Sequence, residues 1–292
     1  MENELLEIFI VTYNRVKVLE KTLFALNKSV LRKFKITVLN NNSSDKTKEM
    51  CDDYIKRMPN FYCLTHKYNI GSDANILRAF ELSQARYTWV MCDDDHLFLD
   101  NITDVLNKIV EGVVDIIHVG AHPGDWEYNG YYGKIQDIFK KGYPFFMYGS
   151  FLPCSIFKTE LFLGQSLVDG YMNIINHYPH MPLLFKCYTN NFNIYISQYR
   201  LVEASIGTQS YNDEEWLVWW LNTAKLIKDR EMIRIVFISH FNNIASIDLI
   251  KYLVKVGKKD MKNKYMIKDF VRNNFNLKER FLYFIMNFKI DK

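Results

Sequence analysis

Glycine and proline are scarce, with 12 and 6 among 292 residues. That excludes collagen-like repeats and loop-dominated scaffolds. Cysteine is also sparse: Cys51, Cys63, Cys92, Cys154 and Cys187 are an odd number with no Cys-x-x-Cys spacing. Neither a disulfide framework nor a zinc ribbon is expected, and buried reduced thiols are. No run of about 18 apolar residues occurs, so no bilayer-spanning helix is expected. Residues 1–7 carry three acids and no Lys or Arg, unlike the basic start of a secretory signal. Residence in the cytoplasm is the expectation. No G-x-G-x-x-G and no G-x-x-x-x-G-K-[ST] follows the first apolar run, which leaves dinucleotide and Walker-type phosphate cradles unsupported. A net charge of +4 is too small to imply nucleic acid.

What is present suits a core. Hydrophobic residues make up 49% and aromatics 15%, which argues against disorder. The length fits one large domain or a domain with a smaller subdomain. Leu5–Val11, Phe34–Leu39, Phe61–His66 and Tyr87–Cys92 read as strands. Val18–Leu31, Lys46–Met58 and Asp73–Gln84 read as helices between them. This alternation predicts βαβ units and a mostly parallel sheet. Residues 113–120 and Asn193–Gln198 read as further strands, and Ser155–Phe162 as the opening of a helix. From about Asp213 the pattern is helical, over Glu214–Lys228, Met232–Val256 and Lys262–Phe288. The change of periodicity near 210 predicts a domain over 1–210 and a helical region over 211–292.

Polar clusters follow the first, second and fourth strands, where ligands sit in such sheets. Asp93-Asp94-Asp95 is the strongest. Three adjacent carboxylates repel, and a hard divalent cation such as Mn²⁺ or Mg²⁺ relieves that repulsion, taking carboxylate and phosphate oxygens together. A solvated acidic turn is the plainer alternative. The first loop offers Tyr13, a flat ring that can stack on a base, and Asn14. The second offers Asn41, whose amide can pair with a base edge.

Four segments occur in order: Ile8-Phe9-Ile10-Val11-Thr12-Tyr13-Asn14-Arg15, Ile36-Thr37-Val38-Leu39-Asn40-Asn41-Asn42-Ser43-Ser44-Asp45-Lys46-Thr47, Asn69-x-Gly71-x-x-x-Asn75, and Tyr87-x-Trp89-Val90-Met91-Cys92-Asp93-Asp94-Asp95. The set resembles the family 2 glycosyltransferases, strongly over roughly residues 5–100 and weakly over 145–205. The resemblance implies a GT-A fold: a Rossmann-like, mostly parallel sheet flanked by helices, here with a C-terminal helical extension. It implies an inverting, metal-dependent transfer from a nucleotide-diphosphate sugar to a glycan or lipid-linked acceptor, in bacterial surface polysaccharide synthesis. Tyr13 would stack on the base and Asn41 read its edge. Thr12, Asn14, Arg15, Asn69, Gly71 and Asn75 would complete the nucleotide-sugar site. Asp94 would face the ribose or sugar, with Asp93 shared between donor and metal. Asp95 would ligate the Mn²⁺ or Mg²⁺ that holds the diphosphate. Asn40 stands where the family has an acid, and Val11 where it has proline.

Inverting transfer needs a base for the acceptor hydroxyl. The family's acidic pair before a helix aligns on Pro179-His180-Met181-Pro182-Leu183-Leu184-Phe185-Lys186, which sets His180 at the acid's place. Asp169 and His177 compete for the role. After Tyr199-Arg200 the family places a metal-binding His, and here Glu203 is the candidate substitute. Trp126, Tyr128, Tyr131 and Tyr132 suggest an acceptor lid, since sugar faces stack on such rings. Residues 251–292 hold twelve Lys and Arg against four Asp and Glu. With the apolar segment 281–286, this suggests contact with an anionic membrane surface, on the inner face of the cell membrane, or with a partner. A nucleotidyltransferase, or a sugar-nucleotide-binding relative without catalysis, are the alternative functions.

Overall fold

The structure, a computed structural model, describes residues 2–121, 130–205, 213–224, 246–259 and 261–289. A short helix α1 (Glu2–Leu5) leads into β1 (Leu6–Thr12). Then β2 (Lys35–Asn40), β3 (Phe61–Thr65) and β4 (Tyr87–Cys92) alternate with α2 (Val16–Lys28), α3 (Thr47–Arg57) and α4 (Ser72–Leu82). The four strands pair in parallel, in the order β3-β2-β1-β4. Ile8, Ile10, Ile36, Val38, Trp89 and Met91 fill the core, with Leu19, Leu23 and Leu26 of α2 packed against them. A strand covered on both faces reads as a continuous apolar run, which is why these segments stand out in the sequence.

Strand order reverses between β1 and β4. In open α/β sheets that reversal opens a crevice at the carboxyl ends of the strands. Thr12 to Arg15 follow β1, and the three aspartates follow β4. The topology therefore brings residues about 80 positions apart in sequence to one crevice.

The rest of the first half-chain and the middle continue with β5 (His96–Leu97), α5 (Ile102–Glu111), β6 (Ile116–His118), β7 (Gly120–Ala121), β8 (Tyr131–Lys134), α6 (Ile135–Lys140), α7 (Phe145–Ser150), β9 (Ser155–Lys158), α8 (Gln165–Met172), α9 (Met181–Thr189), β10 (Asn193–Ile196) and β11 (Val202–Glu203). The main sheet runs β3-β2-β1-β4-β9-β6-β10-β8, with β9 antiparallel to both neighbours and β8 antiparallel to β10. It is the mostly parallel, helix-flanked sheet expected from the alternation.

Two expectations for the middle of the chain fail. Ser155–Phe162 does not open a helix: it forms β9 and a 3₁₀ turn at Thr159–Phe162. Ser155, Ile156 and Phe157 are all buried in mid-sheet, and Thr159 Oγ1 meets Thr88 Oγ1 at 2.8 Å. Four residues are too few to reveal a period. Tyr131 and Tyr132 lie in edge strand β8, opposite Ile196 and Tyr195, so they belong to the sheet and not to a lid. Trp126 and Tyr128 fall outside the described residues.

A small sheet, β5-β11-β7, sets His96-Leu97 beside Val202-Glu203. Gly120 lets β7 lie close against β11, because a Cβ there would overlap the Val202 carbonyl.

The chain divides into two compact units. One comprises Met1–Tyr143, Tyr148–Ile174 and Pro179–Thr208; the other comprises Pro144–Met147, Ile175–Tyr178 and Gln209–Lys292. The second contains α10 (Asp213–Ala224), α11 (Ser246–Lys259), α12 (Met261–Asn274) and α13 (Leu277–Lys289). Residues 225–245 of the expected helices lie outside the described residues. The single helix expected over Lys262–Phe288 is broken at Asn276. Asn276 Oδ1 accepts from the Glu279 N–H, and Glu279 Oε2 accepts from the Asn276 N–H, both at 2.9 Å. This reciprocal cap starts a new helix.

Candidate active site

The first loop is held from outside. Asn14 has φ +53°, a left-handed conformation that asparagine tolerates. Its N–H donates to Ser43 Oγ at 2.9 Å, and its Oδ1 accepts from the Ser44 N–H at 2.7 Å. Asp45 joins two helix starts. One oxygen accepts from the Val16 N–H at 2.9 Å and the other from the Thr47 N–H at 3.1 Å. Burial raises the Asp45 pKa, but the bonds from Thr47 and Val16 outweigh it and hold the carboxylate below its usual range. Loop one is thus tied to loop two, and Tyr13, 44% exposed, projects from the join.

The second loop is tied to the third. Asn41 is buried, and its Nδ2 donates to Asn69 Oδ1 at 2.9 Å and to the Gly71 carbonyl at 3.1 Å. Its Oδ1 accepts from the Ile70 N–H at 2.9 Å. Both amide hydrogens are engaged, so Asn41 clamps the 69–71 turn and has no donor to spare for a base edge. Gly71 has φ +86°, as the turn requires. Asn75 donates to the Leu39 carbonyl at 2.9 Å, and its Oδ1 lies 2.7 Å from His66 Nε2.

The third cluster is the acidic one. Arg15 forks across it: Nη1 lies 2.9 Å from Asp93 Oδ1 and Nη2 lies 2.7 Å from Asp94 Oδ2. Thr12 Oγ1 donates to Asp93 Oδ2 at 2.6 Å, and Thr22 Oγ1 to the Asp93 carbonyl at 2.7 Å. Asp95 Oδ2 accepts from the Cys92 N–H at 3.2 Å, and Ser205 Oγ donates to the Asp94 carbonyl. A cavity of about 350 Å³ is lined by Arg15, Lys21, Thr22, the three aspartates and Ser205 among others. Thr22 was not anticipated from sequence. The clue was a hydroxyl on the apolar face of α2, between Leu19 and Leu23. Ser205 carries no such clue.

Burial pushes the Asp93 carboxyl up to about 6, against the bonds from Thr12 and Arg15. Burial, then repulsion from Asp94, pushes Asp95 well above its ordinary value. Burial alone would lower the Arg15 pKa, but Asp93 and Asp94 outweigh it, and the guanidinium stays charged. Among the described residues, no three or more His, Cys, Asp or Glu side chains form a ready cluster around one ion position. A Mg²⁺-type ion does not need one, because it commonly takes one or two carboxylates and completes its shell with water and phosphate oxygens. Crowded, buried carboxylates whose charge is costly are the donor set that such an ion relieves. The residues fit Mn²⁺ or Mg²⁺.

The residues expected to take the acceptor proton lie elsewhere. His180 is buried just before α9, with Nε2 2.9 Å from the Gly149 carbonyl. Burial pushes its pKa down to about 4, although bonds to the Gly149 and Ser150 carbonyls oppose the shift. The imidazole is therefore neutral and ties α9 to the 149–150 segment. Asp169, on α8, accepts from Gln165 one turn earlier at 2.9 Å. Neither lines the cavity. The His177 ring packs 4.1 Å from Trp219 in the second unit. Glu203 pairs with Arg200 at 2.6 Å and stands opposite His96 in the small sheet.

A parallel sheet that reverses at β4 and gathers carboxylates there has the architecture of the GT-A glycosyltransferases. Residues 7–167 match the family "Glycosyl transferase family 2". That is more than half of the chain, which belongs to this family. A segment of 117 residues is 26% identical to the GalNAc(5)-diNAcBac-PP-undecaprenol beta-1,3-glucosyltransferase of Campylobacter jejuni, covering 38% of this chain and 36% of that one. The chain thus aligns with only about a third of that curated relative. Among solved structures, S. aureus TarS 1–349 in complex with UDP-GlcNAc superposes with a TM-score of 0.64 at 14% identity, over 98% of this chain and 91% of that one. Another TarS crystal structure matches with a TM-score of 0.62 at 13% identity, over 97% of this chain and 55% of that one. The mannosyltransferase PcManGT from Pyrobaculum calidifontis, in complex with GDP-Man and Mn²⁺, gives 0.60 at 10% identity, over 98% and 88%. At these identities the structural likeness establishes the fold.

The His180 geometry has a pH consequence. Its pKa in the fold lies below the ordinary value near 6.5, so unfolding takes up a proton between the two. The stability that depends on the neutral ring is complete above about 6.5 and is lost as pH falls through about 4. Urea titrations of wild type and His180→Gln should therefore show a stability difference that shrinks from neutral pH towards 4. A difference constant across that range would mean that the ring is not held neutral.

Proposed function

We propose that this protein is a glycosyltransferase that moves a sugar, with inversion at the anomeric carbon, from a nucleoside-diphosphate donor to a hydroxyl of a glycan or lipid-linked acceptor, in the assembly of a bacterial surface polysaccharide. The observation that carries this is the acidic triplet gathered with Arg15 at the β1/β4 reversal, beside the exposed Tyr13 ring. The donor class has support from the UDP-GlcNAc and GDP-Man of the TarS and PcManGT complexes. The acceptor class has support from the lipid-linked substrate in the name of the Campylobacter relative.

In this reading the first unit, within residues 1–210, binds donor and carries the chemistry. The Tyr13 face stacks on the base. Asn14, Asn41, Asn69, Gly71 and Asn75 hold the three loops at a fixed spacing, so the donor meets a preformed surface. Thr12 orients Asp93, and Asp94 faces the ribose or sugar. Asp95, with Asp93, would hold Mn²⁺ or Mg²⁺. When bound, the ion supplies positive charge to the departing diphosphate. Arg15 and Lys21 add fixed positive charge to the same cavity. His180 is a positioning residue that fixes the start of α9.

Residues 211–292 supply acceptor and membrane contacts in this proposal. No helix among the described residues is long and apolar enough to cross a membrane. On α13, however, Leu277, Phe281 and Phe284 are 81%, 63% and 64% exposed, and their i, i+4, i+7 spacing puts them on one stripe. The helix also buries Tyr283 and Glu279 on its inner side. Lys278 and Arg280 flank the stripe. Inserting these three side chains into a bilayer interface contributes roughly 4–6 kcal/mol, and nearby basic residues about 1 kcal/mol each on anionic lipid. That suits reversible attachment to the inner face of a membrane.

Two measurements test the reading. In a thermal-shift panel, one nucleoside-diphosphate sugar together with Mn²⁺ should raise Tm by about 5 °C or more at saturation. Asp95→Asn should lose the metal-dependent part. No shift with any donor, with or without metal, would defeat the proposed donor site. In flotation, vesicles of phosphatidylserine and phosphatidylcholine should lift wild type but not Phe281→Ser/Phe284→Ser. Equal flotation of both would remove α13 as the docking face.

A further inference from the structure

Among three adjacent carboxylates, the oxygens are not equally committed. Asp93 has both engaged, one by Arg15 and one by Thr12. Asp94 has Oδ2 held by Arg15. Asp95 alone of the three makes no ion pair among the described residues, and its Oδ2 takes only a backbone N–H. Arg15 is thus the cation that the triplet already has.

Its setting suits a side chain that can let go. The backbone around Arg15 is fixed: Asn14 is bonded to Ser43 and Ser44, and the Val16 N–H to Asp45. The Arg15 side chain is 36% exposed and lines the cavity. A planar fork reaching two carboxylates reaches a diphosphate equally well, since both present paired oxygens. The anchor is rigid and the charged end is free to exchange partners.

We infer that Arg15 is a resident counter-cation that makes divalent-ion binding conditional on the donor's diphosphate. In the free protein it leaves Asp95 as the one carboxylate without a cationic partner, too few anionic oxygens for a tight site. An arriving diphosphate draws the guanidinium away and brings oxygens of its own. Donor and ion therefore bind as coupled ligands, each raising the other's affinity by the same factor. Removing the fork should free Asp93 and Asp94 to join Asp95, so that the ion binds without nucleotide. This rests on the ion site proposed above.

The test follows Mn²⁺ by the loss of its free-ion EPR signal, with UDP and GDP as probes. For wild type, weak binding of Mn²⁺ alone is expected, tightened at least tenfold by one of the two diphosphates. Arg15→Met should bind Mn²⁺ alone at least tenfold more tightly than wild type, with the coupling reduced. Arg15→Lys, which keeps the charge but not the fork, should fall between them. Arg15→Gln replaces the methionine variant if circular dichroism shows that the latter is unfolded. Wild-type coupling with unchanged Mn²⁺ affinity in the neutral variants would overturn the role of Arg15 and leave the ion site standing. Absence of Mn²⁺ binding in wild type at any nucleotide concentration would overturn both.

Discussion

Two carboxylates and one guanidinium organise this molecule's working end. Asp93 and Asp94 follow the last parallel strand, Arg15 follows the first, and the fork between them closes the crevice where the sheet reverses. Without a cation among them, three consecutive aspartates, two of them buried, would be costly to hold together. With Arg15 in place, the free protein can keep the cluster assembled. Much of the local structure serves that contact. Thr12 and Thr22 fix Asp93 from two sides, and the Asn14–Ser43–Ser44 bonds fix the backbone that carries Arg15.

The loops form a chain of clamps rather than a set of separate binding residues. Asp45 ties the starts of α2 and α3, Asn41 ties loop two to the 69–71 turn, and Asn75 ties α4 back to β2. Side chains that look available in the sequence are mostly spent on one another. That is how the crevice holds its shape without a ligand, and it leaves Tyr13, Arg15 and Asp95 as the groups with capacity to meet one. Preformed sites of this kind lower the ordering cost of binding.

Legibility in the sequence followed burial. Strands β1, β2 and β4 are buried along nearly their whole length, so their apolar runs and the intervening helical spacing stand out, and with them the fold and the crevice. Strand β9 is four residues long and begins with Ser155, which offers no period to read. The break at Asn276 was readable as Asn-x-x-Glu, a reciprocal cap inside a helical pattern. In the site, the acidic triplet was visible because charge clusters are conspicuous; Arg15 entered only through the family resemblance, and its fork to Asp93 and Asp94 joins positions nearly 80 residues apart. The occupation of Asn41 was not, since an amide's partners depend on a turn 28 residues later. For His180, residue type matched the expectation of a proton acceptor, but acid–base availability depends on burial and on the Gly149 carbonyl, neither of which a single sequence displays.

If Asp95 brings a divalent ion to the donor's diphosphate, as proposed, ³¹P NMR of UDP or GDP in the presence of the protein and trace Mn²⁺ registers the contact. A paramagnetic ion shared between protein and nucleotide broadens the phosphorus lines of the bound diphosphate. With wild type, both lines should broaden well beyond the level set by Mn²⁺ and nucleotide alone, and Asp95→Asn should return them to that level. Equal broadening with wild type and Asp95→Asn, both folded and both binding the nucleotide, would mean that Asp95 does not hold the ion.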